Sequence, residues 1–464
     1  MKKILLTFLF LSLSQLIMAQ TDDEYKKLFR DRIELEKAGS GIVAVFVDEK
    51  GTRFVNYGTL NKDAASAQAN ENSIYEIGSL TKLFTAVLLA DAVKRGEVKL
   101  DAPISAYLPK TVKTPTFNGK EITLLDLATH SSSLPRMPNN FKPKAADEPY
   151  VDYTAKNLYD FLSNYKLTRE IGSQFEYSNV GVGLLGHILS LQAKMTFEQL
   201  LMTRIFKPLG MNDTSLALPT AIKSRHAQGL NAKNEPTPNW FFDVLAPAGA
   251  IRSTTTDMAK FISAAVGLTK TSLADAFVEV RKMQRQGQNS QVKIGLCWNN
   301  VDLWGTEIFW HGGGTGGFAS YIAVDPKQRK GAFLVNNTGQ PTGSVFLESI
   351  AFNYLQSKYK ITKPQLKSVS PRKTAITLGE EILQKYVGEY QITPEMSIFI
   401  TREGKQLFAR ATGQEKFEIY PEKEDAFFAK IVEITISFKK DKDNKINGLV
   451  IGQEGYDNFG KKIK

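Results

Sequence analysis

Strand-like segments flank a long helical stretch, and that order leaves few ways to build a sheet. Residues 41–47 are a valine-rich apolar run, residues 48–51 read as a turn, and residues 53–57 as the second strand of a hairpin. Helical apolar spacing takes over at residues 80–94, through Leu83, Phe84, Val87, Leu88 and Ala92. A middle section from Asp101 to about Gly267 carries proline-punctuated loops and amphipathic helices at 157–163 and 180–191. Asp257 then complements the dipole of a helix over 258–266. Strand patterns resume at 294–298, 307–310, 318–324 and 331–336, and a helix at 345–356 closes the region. The expected fold is therefore α/β of the α+β kind. One antiparallel sheet, flanked by helices, is assembled from both ends of the chain, with the helical section inserted as a lobe. A ligand would bind in the cleft between lobe and sheet.

Both ends of the chain read differently. Residues 361–379 are rich in Lys, Pro, Ser and Thr and form a linker. Residues 380–390 look helical, and short strands follow at 396–401, 406–411, 417–420, 426–430, 433–438 and 446–453. Residues 380–464 thus read as a β-rich accessory domain, a small antiparallel barrel or meander. Met1-Lys2-Lys3, an apolar run over 4–18 and Ala19-Gln20 are the three parts of a secretory signal peptide, residues 1–19. That run is shorter than the roughly 20 residues a membrane-spanning helix needs. The expectation is an exported, periplasmic protein with no membrane span after cleavage, its catalytic domain at residues 20–360.

Composition removes several chemistries. The charge of +11 is spread through mixed-sign stretches, and nothing accompanies it that suggests nucleic acid. Cys297 is the one cysteine, and His130, His187, His226 and His311 are never three or four residues apart. Neither a metal site nor a cofactor is expected. No G-x-S-x-G elbow and no phosphate-binding G-x-x-x-x-G-K-[ST] loop occurs.

Three motifs carry chemistry. S-x-x-K begins at Ser79, Ser163, Ser290, Ser357, Ser370 and Ser437, but only Ser79 follows a tight Glu76-Ile77-Gly78 approach and opens an amphipathic helix. A hydroxyl there faces the positive end of the helix dipole. Lys82 stands on the same face one turn on, where it can stabilise an alkoxide or, if desolvated, accept its proton. Tyr177-Ser178-Asn179 supplies a phenol that becomes a plausible base beside cations, and an amide for Lys82 and a substrate carbonyl. Residues 311–318, His-Gly-Gly-Gly-Thr-Gly-Gly-Phe, put glycines in a strand, as when a ligand backbone must lie against it. The Gly314 N–H could join that of Ser79 on one oxyanion.

In that order the motifs resemble the serine β-lactamase-like superfamily: class C β-lactamases, DD-peptidases, D-aminopeptidases and related esterases. Residues 122–135, 207–211 and 247–250 add local matches. The resemblance implies Ser79 as acylated nucleophile, with Lys82 and Tyr177 sharing proton transfer. It places Asn179, His311, Gly313, Gly314 and Thr315 against a small-molecule or peptide substrate, cell-wall fragments included. At the third motif the chain departs from lysine-threonine-glycine. His311-Gly312-Gly313 stands there, as in the peptidase branch, and Gly312 and Gly314 lack hydroxyls for a substrate carboxylate. The implied activity is acyl-enzyme hydrolysis of β-lactam-type or D-amino-acid amides or esters. The alternative is a sensor or penicillin-binding protein that acylates without efficient turnover. Oligomeric state is left open.

Overall fold

Apolar residues alternate along the strand Gly41–Asp48 so that Val43, Val45 and Val47 enter one core while Ile42, Ala44 and Phe46 enter another. A strand buried on both faces has to lie inside a three-layer structure. The computed structural model describes residues 21–356 and 375–463, apart from 64, 304, 341, 394–395, 412–415, 430–433 and 454–455. The expected leader, and residues 361–374 of the expected linker, lie outside the described residues.

The layer is an eight-stranded sheet. In spatial order it runs Gly51–Gly58, Gly41–Asp48, Lys330–Asn336, Ala319–Asp325, Thr306–Gly314, Asn299–Leu303, Val292–Ile294 and Arg285–Gln286, every pair antiparallel. Val43 faces Val335 and Val45 faces Phe333 across the join between the two ends of the chain. One face carries the helices Asp22–Arg30 and Thr342–Gln356, with Tyr25 stacked on Phe46 at 4.8 Å. The other carries the helical lobe and the larger core.

In the sheet and its lobe, three elements differ from the pattern in the sequence. The helix at 80–94 is Thr81–Lys94, entered through a 3₁₀ turn Gly78–Leu80, and it is not amphipathic, because every residue from Thr81 to Ala92 is buried. Such a helix belongs in the core, and Phe84 is stacked on Phe261 at 4.2 Å there. Residues 295–298 are not a strand. Cys297 has a left-handed φ of 58°, and its N–H donates to Ala128 O at 2.8 Å. Asn299–Leu303 pairs in the sheet instead; its Asn and Asp residues hide the strand period.

The C-terminal segment is a closed eight-stranded barrel. Among its described residues helix is confined to Glu380–Gln384, and residues 388–390, expected as the end of a helix, open the first strand, Gly388–Thr393. That strand pairs with the last, Tyr456–Lys462, through Tyr390 and Lys462, so the barrel has no free edge. Leu383, Tyr386, Tyr390, Phe427 and Phe438 lie in its core.

Asn337 joins the two ends of the eight-stranded sheet. Its Oδ1 accepts from Ser40 N and Gly41 N, both at 2.9 Å, and its Nδ2 donates to Ser40 Oγ and Gln228 O, both at 2.8 Å. Asn337→Ala leaves buried donors and an acceptor unpaired. Urea unfolding should show a loss of about 2–4 kcal/mol; a loss below measurement error would remove this residue from the join.

Candidate active site

Ser79 is placed by a turn that only glycine makes. Gly78 has φ +52°, and a Cβ on it would lie 2.7 Å from Gly314 O and 2.8 Å from Gly314 N. The backbone before Ser79 is thus packed directly on the glycine-rich strand Thr306–Gly314. Around it, Ile77 N–H donates to Ile251 O at 3.0 Å, Ile77 O accepts from Ser320 Oγ at 2.8 Å, and Gly78 O accepts from Thr81 Oγ1 at 2.8 Å. Gly313 is equally obligatory: a Cβ there would meet Ile77 O at 2.3 Å. The strand pairs with Asn299–Leu303 only from Thr306 to Trp310, while its other side stays paired to Ala319–Asp325 as far as Gly314. Residues 311–314 therefore have one side open beside Ser79.

The sequence brought Lys82 and Tyr177 to the same place. Lys82 Nζ is 3.1 Å from Ser79 Oγ and donates to Ala248 O at 2.7 Å. It is completely buried and lies 4.8 Å from the centre of the Tyr177 ring. The Ser79 side chain is near enough to the Tyr177 hydroxyl to favour its ionised form. Tyr177 precedes the helix Asn179–Ala193, whose first turn is capped by Ser178 Oγ accepting from Gly181 N at 2.9 Å. On its flanks stand His130, ring centre 4.5 Å away, and the Arg136 guanidinium, 5.0 Å from the ring centre. His130 Nδ1 accepts from Ser178 N–H at 3.1 Å, which assigns its proton to Nε2.

Asn179 does not hold Lys82. Its Nδ2 lies 3.6 Å from Met137 Sδ and its Oδ1 is buried without a hydrogen-bond partner; the Ala248 carbonyl takes the place expected for the amide. His311 lies 6.1 Å from Tyr177, ring to ring, and its Nδ1 donates to Gly312 O at 2.6 Å. Gly314 is exposed and Gly313 buried. Thr315 N–H donates to Phe318 O at 2.9 Å, and its side chain approaches the buried carboxyl of Glu76. Glu76 is paired with Arg252 at 3.1 Å and accepts from Trp240 N–H at 2.9 Å. Trp240 belongs to an aromatic wall in which Tyr150 lies 5.1 Å from Trp240 and 4.4 Å from Phe242.

Residues 25–351 match the family model described as Beta-lactamase, and residues 372–459 match one described as a domain of unknown function (DUF3471). The chain belongs to the beta-lactamase family. It is 30% identical to the D-alanyl-D-alanine-carboxypeptidase/endopeptidase AmpH of Escherichia coli (strain K12), over 66% of this chain and 82% of that protein. It is 27% identical to a beta-lactamase of the same organism, over 69% and 90%. The fold matches that of a class C beta-lactamase, with TM-score 0.63 and 21% identity over 74% of this chain and 99% of that one. A beta-lactamase/D-alanine carboxypeptidase from Yersinia pestis, complexed with citrate, gives 0.62 and 24% over 73% and 98%. This beta-lactamase-family chain is a serine hydrolase.

Burial sets the protonation states in this hydrolase. Desolvation pulls the Lys82 ammonium down to about 7, with Arg136 adding to the effect and no carboxylate opposing it. Desolvation pushes the Tyr177 phenol above its usual 10, and the nearby Ser79 side chain and the charge of Arg136 do not reverse it. The phenolate expected from two neighbouring cations is thus not the resting form: Tyr177 is a phenol. His311 is neutral, pulled down to about 3 by burial and by Lys82, so it is a polar rather than cationic neighbour. Burial likewise raises the Cys297 thiol to about 12.

Sequence reasoning missed Arg136, Ala248 and the tautomer of His130. The last two lie within local strings that marked the family without specifying a contact. Lys82 is therefore the group that gains basicity as pH rises. The hydrolytic rate should climb about tenfold per pH unit below 7 and level off above it. Lys82→Arg, which stays protonated, should show neither feature; an unchanged profile in that variant would assign the titration to another group.

Proposed function

We propose that the chain is an exported serine hydrolase that forms an acyl-enzyme at Ser79, acting on β-lactam-type or D-amino-acid peptide amides or related esters. The observation that carries this reading is the buried Lys82 amine 3.1 Å from Ser79 Oγ. Ser79 Oγ attacks the carbonyl carbon, forming a C–O bond as its proton passes to neutral Lys82. The N–H groups of Ser79 and Gly314 hold the oxyanion. The C–N or C–O bond then breaks, Tyr177 gives its phenolic proton to the leaving atom, and Lys82 restores it. Water attacks the ester by the same route reversed, and Ser79 recovers its proton. Asn179, His311, Gly313 and Thr315 line the substrate side of this arrangement. The names of the relatives support both substrate classes, and the leader pattern of residues 1–19 supports export to the periplasm. The same reading divides the chain into a catalytic domain at 20–360, a linker and an accessory domain from 380.

Ser79→Ala should abolish labelling by a fluorescent penicillin and turnover of nitrocefin, nitrophenyl esters and D-alanyl peptides. Tyr177→Phe should bind comparably but turn over about 10²–10⁴ times more slowly. Labelling that persists without Ser79 would end the acyl-enzyme reading. A single stoichiometric burst with no steady-state turnover would identify a sensor instead.

A further inference from the structure

Gly312 and Gly314 of the third motif stand where hydroxyl-bearing side chains would serve an anion, and the one hydroxyl that follows them, on Thr315, lies beside the buried carboxyl of Glu76. The charges around the nucleophile show a cation in search of a partner. Arg136 is exposed beside Tyr177, its guanidinium 5.0 Å from the ring centre. Among the described residues no carboxylate forms an ion pair with it and no side-chain or backbone acceptor takes a hydrogen bond from it. Glu176, the acidic residue next to Tyr177 in the chain, is already paired with Arg169.

Position and surroundings add to this. The Arg136 backbone carbonyl accepts the N–H groups of Asn179 at 2.9 Å and Val180 at 3.4 Å, which anchors the residue at the start of the helix Asn179–Ala193. The same helix start holds the buried Asn179 Oδ1 without a partner, an acceptor for a ligand N–H. The positive field of Arg136 reaches Lys82, His130, Tyr177 and Tyr150 alike; it adds to the effect of burial at Lys82 and His130 and opposes it at the two tyrosines. A guanidinium is the side chain best suited to a carboxylate, because its planar fork gives two parallel hydrogen bonds.

We propose that Arg136 anchors a substrate carboxylate at the mouth of this site, making the chain selective for acyl donors that combine a peptide N–H with a free carboxylate. The proposal rests on the acyl-enzyme reading above and names what that site selects.

The test uses a matched pair of D-alanyl-D-alanine substrates that differ only in a C-terminal carboxylate or carboxamide. Rates are taken at about pH 9, where Lys82 is deprotonated in every variant. In Arg136→Gln the carboxylate-to-carboxamide ratio of kcat/KM should fall by about tenfold or more, through KM, and Arg136→Lys should recover part of it. A ratio within about twofold of wild type, or an equal loss on both substrates, would overturn the proposal and leave Arg136 a purely electrostatic neighbour of Lys82. If wild type turns over neither substrate, the D-amino-acid peptide part of the functional reading fails separately. Binding of N-acetyl-D-alanyl-D-alanine to Ser79→Ala, with and without Arg136→Gln, then decides: about tenfold weaker binding supports the anchor, and equal binding removes it.

Discussion

Gly78 and Gly314, far apart in the chain, pack backbone to backbone, and the geometry around Ser79 is referred to that contact. It fastens the start of the buried helix Thr81–Lys94 to the open half of a sheet strand. Two side-chain hydroxyls hold it from either side, Ser320 on Ile77 O and Thr81 on Gly78 O. Any Cβ at Gly78 or Gly313 would force lobe and sheet apart, and the serine with them.

The second consequence is electrostatic. Because the helix is buried all round from Thr81 to Ala92, Lys82 cannot reach water, and the cost of a buried ammonium is offset by neither a carboxylate nor a solvent shell. The group answers by losing its proton near neutrality, while the same dryness keeps Tyr177 protonated. One environment therefore sets two groups in opposite senses, an amine ready to take a proton and a phenol ready to give one. Ala248 O directs the amine, and Asn179 Oδ1 is left buried without a hydrogen-bond partner.

Much of this was legible in the chain. The split sheet follows from strand patterns on either side of a helical stretch, and the motif order named the family together with Ser79, Lys82 and Tyr177. Less was legible where polarity masked periodicity. Asn299–Leu303 is a strand with three polar residues, Cys297 turns on a left-handed φ that no residue-type preference signals, and Gly388–Thr393 continued a helical pattern into a strand. Arg136 carried no signal, since one arginine after a proline looks like any solvated charge until Tyr177 is found beneath it.

The sequence alone determined which chemical groups are available and the order in which they come, because motif spacing and apolar period are local properties of the chain. Tertiary structure decided their protonation states and partners. Those depend on distances between residues remote in sequence and on how much water is excluded, and neither quantity exists until Gly78 meets Gly314 and Lys82 is enclosed.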